Sequence, residues 1–215
     1  MKGCGRKIGS FDCCTVILGN SLELTRELPE RCVSAIITDP PYGLGNTWNF
    51  NKNSKQGKSR LWNNLPNWDI PIDILELKRL LGLGEVAVCW GGNLYELPPA
   101  KCWLIWDKIQ SFSGSDFEMA WTNLSIPPRA FRMSRIDAYY NKIIFKKEHP
   151  AEKPIQLLEW CIQKAGNPET ILDPFCGSGS TLVAGKRLGR HFLGFEIDPH
   201  YHTITEKRLM TTEGE

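Results

Sequence analysis

Short apolar runs alternate with amphipathic segments along the chain, a pattern typical of a parallel α/β fold. Apolar runs bounded by turn residues predict buried strands at 15–19, 35–37, 85–90, 103–106, 117–122, 170–172 and 191–194. Apolar residues at helical spacing predict helices at 22–28, 72–81, 155–164 and 181–188. The first strand, helix and second strand predict a right-handed crossover between parallel neighbours in one sheet.

The strand predicted at 35–37 runs into the sequence Asp39-Pro40-Pro41-Tyr42. Two prolines exclude both a helix and further sheet pairing, so we expect a stiff loop at the carboxyl end of the strand. Such a loop suits a planar amine: Asp39 and the Pro40 carbonyl can accept its two N–H hydrogens while Tyr42 stacks on its ring. Taken alone, the motif favours a simple turn that exposes a tyrosine. A second motif favours the amine site.

A glycine-rich loop at 173–181 lies between a predicted strand and a predicted helix. Gly177 and Gly179 leave out side chains where backbone must approach a ligand. The next strand leads to Glu196, an acidic position suited to both hydroxyls of a ribose. Strand, glycine loop, helix, strand and carboxylate in this order predict a site for an adenosine-type cofactor.

Two residues of this region distinguish between cofactors. The dinucleotide fingerprint requires a small residue three positions after its second glycine, where this chain has Leu182. Asp173 would repel a pyrophosphate but attract an ammonium group. Both observations favour S-adenosylmethionine over NAD.

Composition narrows the class of protein. The chain has 215 residues, a net charge of +2 and eight cysteines, which suits one α/β domain with an insertion. We find no signal peptide and no apolar run that could span a bilayer, so we predict a cytoplasmic protein with reduced thiols and no membrane partner. We predict no metal site. The alternative, zinc bound by Cys4, Cys13, Cys14 and Cys32, is disfavoured because their spacing lacks a C-x-x-C knuckle.

Local basic clusters indicate where nucleic acid would bind. A polar segment at 43–64 and a basic segment with interleaved aromatic residues at 127–148 are the candidates, because such residues neutralise phosphates and stack on bases. A solvated loop and a solvated hairpin are the competing interpretations. The predicted DNA-binding residues are Lys52, Lys55, Lys58, Arg60, Arg129, Arg132, Arg135 and Lys142.

Together these motifs resemble the amino DNA methyltransferases, which methylate exocyclic amines of bases. The sequence at 39–42 matches the family's catalytic motif, the loop at 173–179 its cofactor loop, and Glu196 its ribose-binding acid. The segment 149–154, His-Pro-x-x-Lys-Pro, matches the segment that closes over the methionine end of the cofactor. The catalytic motif precedes the cofactor loop, which is the circularly permuted order of the β class. The resemblance covers roughly 15–209.

The resemblance implies a Rossmann-like S-adenosylmethionine-dependent methyltransferase fold with a mixed, mostly parallel sheet. It implies one catalytic domain built from 15–122 and 149–209, a short basic target-recognition insertion at 123–148, and tails at 1–14 and 210–215. The strands before the two motifs should be sheet neighbours at the switch point. The implied catalytic residues are Asp39, Pro40, Pro41 and Tyr42. The implied cofactor-binding residues are Asn20, Asp39, Lys153, Asp173, Phe175, Gly177, Ser178, Gly179 and Glu196.

Two features depart from the family pattern. Gly19-Asn20 stands where the family usually has Gly-Asp, whose carboxylate contacts the adenine of the cofactor. An amide can still hydrogen-bond to an adenine edge. The target-recognition segment is short, which implies a small site, relaxed specificity or a partner subunit.

The function implied by the resemblance is methyl transfer from S-adenosylmethionine to the N6 amine of a flipped adenine in DNA, because cytosine enzymes more often carry Ser at the position of Asp39. The implied partners are DNA, a second copy of the chain and a cognate restriction endonuclease, in a bacterial or phage-infected cell. N4-cytosine methylation, methylation of an RNA amine and a catalytically silent nucleic-acid-binding subunit are the alternatives. Leu182 and Asp173 disfavour a nicotinamide oxidoreductase.

Overall fold

A computed structural model describes residues 3–43, 70–109, 115–139 and 152–214. The predicted DNA-binding residues Lys52, Lys55, Lys58, Arg60 and Lys142 lie outside these ranges. The strands are β1 (Lys7–Ile8), β2 (Phe11–Asp12), β3 (Thr15–Leu18), β4 (Val33–Thr38), β5 (Gly84–Trp90), β6 (Trp103–Asp107), β7 (Phe117–Thr122), β8 (Arg129–Arg132), β9 (Thr170–Asp173) and β10 (His191–Glu196). The helices are α1 (Ser21–Leu24), α2 (Ile74–Leu81), α3 (Arg135–Tyr139), α4 (Ile155–Lys164), α5 (Ser180–Arg187) and α6 (Pro199–Thr211).

Within the described ranges, the strands after the β1–β2 hairpin form one sheet in the order β3-β10-β9-β4-β5-β7-β6-β8. The first five of these run parallel. Strand β7 is antiparallel to both of its neighbours, and β8 lies parallel to β6 at the edge. The mixed, mostly parallel sheet confirms the predicted fold class.

The strand order decides which motifs meet. Strand β4, which ends one residue before Asp39, pairs with β9, which ends at Asp173. The predicted contact between the two motif-bearing strands is confirmed. The prediction that β3 and β4 are neighbours is wrong, because β10 and β9 lie between them. The last two strands of the chain lie between β3 and β4, so adjacency along the chain does not give adjacency in the sheet.

Helices cover both faces of the sheet because successive residues of a buried strand point to opposite sides. Ile36 packs into the core that includes Leu77 of α2, whereas Ile37 packs into the core that includes Leu157 of α4. A third cluster joins Leu209 of α6 to Leu182 of α5. In the described part of the chain, no helix has the length and apolar content needed to cross a membrane.

Four features lie outside the sequence predictions: the β1–β2 hairpin, strand β8, helix α3 and helix α6. The start of α6 carries a recognisable signal, since the Asp198 carboxylate accepts from the N–H of His200 and Tyr201 while Pro199 occupies the first turn. Strand β8 falls inside the predicted insertion at 123–148, yet it pairs with β6 of the main sheet. The division into catalytic domain and insertion stays a prediction.

Candidate active site

The Asp39 loop leaves the carboxyl end of β4 and is fixed by two tyrosine hydroxyls. The hydroxyl of Tyr42 donates to Asp39 Oδ1, and that of Tyr95 donates to the Pro41 carbonyl. The Tyr42 ring lies against Gly91, where an added Cβ would come within 2.1 Å of a ring carbon. Gly91 has a φ of 64°, so both the backbone conformation and the ring contact require glycine.

A row of alternating charges extends from this loop across β7. Lys153 Nζ lies 2.5 Å from Asp39 Oδ2 and 3.2 Å from Glu118 Oε2. Lys108 Nζ lies 2.9 Å from Glu118 Oε1. The two lysine side chains are 7% and 5% exposed, so each depends on its carboxylate partners in place of water. Lys153 also lies 5.5 Å from the centre of the Trp90 ring, a cation–π contact.

The row shifts the pKa of its members. Burial alone would raise the pKa of Glu118, but the charges of Lys153 and Lys108 outweigh it and lower that pKa to about 2. Burial alone would lower the pKa of Lys153, but Asp39 and Glu118 outweigh it and raise that pKa. Lys153 and Glu118 are therefore both charged at neutral pH.

Lys153 is predicted from sequence to bind the cofactor, and the structure places its ammonium group on the carboxylate of Asp39. The cofactor role stays a prediction. Glu118 and Lys108 were not predicted as site residues, because ion pairs between elements that are distant in sequence leave no local sequence pattern.

The glycine loop turns from β9 into α5. Gly177 and Gly179 have φ values of 53° and 79°, a region that favours glycine. The N–H groups of Asp198 and Gly177 donate to the two Glu196 oxygens, each at 2.8 Å. Burial raises the pKa of Glu196, and these two donors oppose that rise. Glu196 thus lies beside the loop, where a ribose-binding acid is predicted.

Asp173 ends β9 and is 3% exposed. Its Oδ1 accepts from Thr38 Oγ1 at 2.8 Å and from the Phe175 N–H at 3.1 Å. Burial raises the pKa of Asp173 to about 6, although the hydrogen bonds from Thr181, Thr38 and Phe175 favour the ionised form. Thr38 directly precedes Asp39, so its bond to Asp173 joins the two motifs at the switch point.

Two side chains of helix α6 hydrogen-bond to the glycine loop. Thr205 Oγ1 donates to the Gly177 carbonyl at 2.8 Å. Arg208 Nη1 donates to the Ser178 carbonyl at 2.8 Å and lies 3.0 Å from Glu152 Oε1. Arg208 also donates to the Ser178 hydroxyl at 3.0 Å. The hydroxyl of Ser178, a predicted cofactor-binding residue, is thus bonded to α6.

Asn20, predicted to contact the cofactor's adenine, follows β3 beside the strand that carries Glu196. Its Oδ1 accepts from the Leu22 N–H at 3.1 Å, and its Nδ2 donates to Glu23 Oε1 at 3.0 Å. The amide therefore caps α1. Phe175, another predicted cofactor-binding residue, is partly buried and packs against the core that includes Ile36 and Leu77.

Leu182 is accommodated by a glycine on the opposite element. It is fully buried, and a Cβ added to Gly194 of β10 would lie 2.4 Å from its Cδ1. The close approach of helix and strand, which the dinucleotide fingerprint achieves with a small helical residue, is achieved here by a small strand residue.

The structure does not bring the predicted arginines onto one surface. Arg129 and Arg132 lie on edge strand β8 three residues apart, so they point to opposite faces. Arg132 Nε lies 2.9 Å from Asp107 Oδ2, and Arg135 begins α3. The described part of 127–148 holds a strand and a helix in place of a hairpin, and its role in DNA binding stays a prediction.

Comparison with known proteins identifies the family. A family model for N6/N4 methyltransferases, described as DNA methylase, matches residues 99–207. This range contains the glycine loop and Glu196 and begins after the Asp39 loop. An Escherichia coli (strain K12) protein named as a methylase, YubD, is 28% identical over 213 residues, covering 92% of this chain and 90% of that protein. The type II methyltransferase M.HinfI of Haemophilus influenzae is 26% identical over 243 residues, covering 91% of this chain and 68% of that protein.

Two solved structures share the fold. M1.HpyAVI in complex with SAM aligns with a TM-score of 0.56 at 20% identity, covering 91% of this chain and 98% of that chain. PvuII DNA methyltransferase, described as cytosine-N4-specific, aligns with a TM-score of 0.58 at 18% identity, covering 90% of this chain and 85% of that chain. The family model spans half of the chain, and the chain belongs to the N6/N4 family of DNA methylases.

Proposed function

We propose that the protein transfers a methyl group from S-adenosylmethionine to the N6 amine of an adenine flipped out of DNA. One observation carries the proposal: the Asp39 loop and the glycine loop follow two adjacent strands, β4 and β9. The hydroxyl of Thr38, at the end of β4, donates a hydrogen bond to Asp173 Oδ1, at the end of β9, at 2.8 Å. Ligands of open α/β sheets bind at such a switch point. A methyl donor and an acceptor amine would therefore be held side by side.

The residues around the glycine loop fit S-adenosylmethionine. Glu196 would accept the ribose hydroxyls, because each carboxylate oxygen offers more than one acceptor position. Asp173 is buried, and the neighbouring charge of Asp39, which has the same sign, further raises its pKa, so this position suits a ligand's ammonium group. Bound there, S-adenosylmethionine supplies an electrophilic methyl group.

The Asp39 loop supplies what the amine needs. The lone pair of an adenine amine is delocalised into the ring, which makes the nitrogen a poor nucleophile. Hydrogen bonds from its N–H groups to Asp39 and the Pro40 carbonyl favour a pyramidal nitrogen with a localised lone pair. A carboxylate offers about four acceptor positions, which allows an amine donor beside Tyr42 and Lys153. Catalysis then rests on positioning and electrostatics.

A base in a duplex cannot reach a crevice at the edge of a sheet, so it must leave the stack. Tyr42 would replace part of the lost stacking, with its ring supported by Gly91. Because the ring contact with Gly91 fixes Tyr42 before the base arrives, little side-chain entropy is lost on binding.

The choice of adenine over cytosine rests on Asp39. The N4-cytosine alternative has the support of the same crevice and of a structural neighbour described as cytosine-N4-specific, although a likeness at 18% identity concerns the fold alone. The recognised DNA sequence, a homodimer and a cognate endonuclease remain predictions from the family resemblance.

The test uses DNA that carries no prior methylation and S-adenosylmethionine labelled in its methyl group. After incubation, the DNA is digested and its nucleosides are separated. We expect the label in N6-methyladenine. Label in N4-methylcytosine would overturn the adenine assignment, and no label, with both DNA and S-adenosylmethionine shown to bind, would identify a silent binding subunit.

A further inference from the structure

Four metal-ligating side chains meet at the end of β10 opposite to Glu196. They are Cys4, Cys13, Cys14 and His191, whose sulfur and imidazole nitrogen atoms all lie within 4.8 Å of one another. Cys13 is buried, Cys14 and His191 are half-buried, and Cys4 is exposed. None of these residues belongs to the cleft between the Asp39 loop and the glycine loop.

We propose that Cys4, Cys13, Cys14 and His191 bind a structural zinc ion that anchors the β1–β2 hairpin to the sheet. This proposal departs from our sequence-based prediction of no metal site. The alternative weighed from sequence used Cys32 as the fourth ligand. In the structure His191, distant in sequence, occupies that place in the group.

The distances within the group match the edges of a zinc tetrahedron. The sulfurs of Cys4, Cys13 and Cys14 lie 3.3, 3.4 and 3.7 Å from His191 Nδ1, and the sulfurs of Cys13 and Cys14 lie 3.7 Å apart. Zinc bonds of about 2.3 Å to sulfur and about 2.0 Å to nitrogen place tetrahedral ligands about 3.5 Å apart for a sulfur–nitrogen pair and about 3.8 Å apart for two sulfurs, so these distances agree to within about 0.2 Å.

Hydrogen bonding alone does not explain this arrangement. An imidazole nitrogen carries either one proton or one lone pair, so Nδ1 can bond well to one sulfur only. Three sulfurs nevertheless converge on it. A cation between the four atoms gives each of them a partner.

The backbone brings two consecutive cysteines to one point. In an extended chain, neighbouring side chains point to opposite faces. Cys14 instead has a φ of 61°, an uncommon conformation for a residue other than glycine. The Cys13 N–H bonds to the Arg6 carbonyl at 2.9 Å and the Cys14 N–H to the Phe192 carbonyl at 2.6 Å. The sulfurs are thus positioned by the hairpin and by β10 together.

Ligand chemistry selects the ion and its role. Three thiolates and one imidazole in a tetrahedral arrangement favour zinc over magnesium or calcium, which prefer oxygen. Four protein ligands leave no open position for a reacting water, which is typical of a structural site. The three thiols lose their protons on binding. Arg6, the residue before β1, supplies a positive charge between Cys4 and Cys13 in the sequence, and its guanidinium pairs with Glu169.

The proposed role follows from what the group connects. Cys4 and Cys13 flank the hairpin, whose Phe11 packs edge-to-face on Phe195 of β10 at 5.1 Å. His191 begins β10 and Glu196 ends it, which separates the group from the cleft by about 17 Å at 3.3 Å per residue. Zinc loss should therefore lower stability and leave the chemistry of the folded enzyme unchanged.

The test measures zinc per chain by elemental mass spectrometry on protein purified under reducing conditions. We expect about one zinc in the wild type and in Cys32→Ser, a half-buried thiol outside the group. Cys13→Ser and His191→Ala should each lower zinc retention after dialysis at least tenfold. Cys4→Ser provides a variant at an exposed position should Cys13→Ser fail to fold. A chelator should lower the Tm of the wild type, and cobalt should give the absorption bands of a tetrahedral thiolate site.

Wild-type protein that stays free of metal after incubation with zinc, with an unchanged Tm, would overturn the proposal. Equal loss of zinc from Cys32→Ser and Cys13→Ser would overturn the ligand assignment. A disulfide among the three cysteines in protein isolated without reductant, together with no zinc uptake after reduction, would also contradict it.

Discussion

The ammonium nitrogen of Lys153 lies 2.5 Å from a carboxylate oxygen of Asp39, and the same ammonium lies 3.2 Å from Glu118. Asp39, the residue proposed to accept a hydrogen bond from the target amine, is therefore paired with the buried ammonium group of Lys153 in the absence of substrate. Glu118 shares that cation and so limits how strongly Lys153 neutralises Asp39. We therefore expect the acceptor strength of Asp39 to depend on Glu118 through Lys153.

Glu118→Gln should lower kcat for methyl transfer about tenfold, because Lys153 would then pair with Asp39 alone and weaken it as an acceptor. The affinity for S-adenosylmethionine should stay within about twofold. Glu85→Gln, an exposed position on β5, is the matched control. An unchanged kcat in a Glu118→Gln protein would show that Glu118 does not position Lys153.

The same substitution should change acid stability. The pKa of Glu118 falls from 4.5 to about 2 on folding, so its contribution is present above pH 4.5 and is lost as the pH falls towards 2. One third of the Glu118 side chain is exposed, which screens the pair and limits the effect to about 1–2 kcal/mol. Urea unfolding of Glu118→Gln should therefore show a shallower loss of stability in this window than the wild type.

Asp173 should make S-adenosylmethionine binding depend on pH. The pKa of Asp173 rises from 3.8 to about 6 on folding, so its contribution to stability is full below pH 3.8 and is lost as the pH rises through 6. A ligand's ammonium prefers the ionised form, so affinity should increase about tenfold from pH 5 to pH 7. Calorimetric titration of Asp173→Asn should give a nearly flat profile. A profile as steep as that of the wild type would assign the titration to another group.

Arg208→Gln should weaken both the glycine loop and the fold, because the carbonyl of Ser178 and the carboxylate of Glu152 would lose a charged donor. We expect a loss of about 1–2 kcal/mol in stability, or roughly 2–8 °C in Tm, and weaker S-adenosylmethionine binding. Lys207→Gln, an exposed neighbour on the same helix, is the control. If both variants lose Tm equally, α6 does not support the loop through Arg208.

Neutralising Arg129, Arg132 and Arg135 should reduce the salt dependence of DNA binding. Each arginine that contacts a phosphate contributes about 0.9 to the slope of log K against log salt. Arg132 must exchange its pairing with Asp107 for a phosphate, so its share should be the smallest. A variant with Arg26→Gln, Lys78→Gln and Lys101→Gln, all exposed, controls for the same loss of net charge. An unchanged slope in the triple variant would mean that these arginines do not contact DNA and that the segment is a solvated surface.

What the sequence could predict was local. The loops at the carboxyl ends of β4 and β9 were predicted where the structure has them, because prolines, glycines and a strand-ending carboxylate restrict the backbone over a few residues. Strand β7 was predicted with its observed bounds, Phe117–Thr122, because a short apolar run rich in β-forming residues indicates a strand without information from distant residues.

The remaining features depend on contacts between distant residues. Glu118 lies on β7 and Lys153 precedes α4, so no spacing in the sequence indicates their pairing. The grouping of His191 with three cysteines near the start of the chain likewise has no signal in the sequence spacing. The position of β10 between β3 and β9 depends on the complete strand order, which reverses the expectation that consecutive strands pair.

The most direct test of the proposed function is methyl transfer by Asp39→Ala, measured with labelled S-adenosylmethionine and unmethylated DNA beside calorimetric titration of the cofactor. Asp39 is proposed to act on the target amine, so the variant should lose methyl transfer while its S-adenosylmethionine affinity stays nearly that of the wild type. DNA affinity should persist or rise, since a carboxylate is removed near phosphates. Tyr42→Phe, which keeps the ring but loses the hydrogen bond to Asp39 Oδ1, should retain part of the activity. Full methyl transfer by a folded Asp39→Ala protein would contradict the catalytic role of the loop.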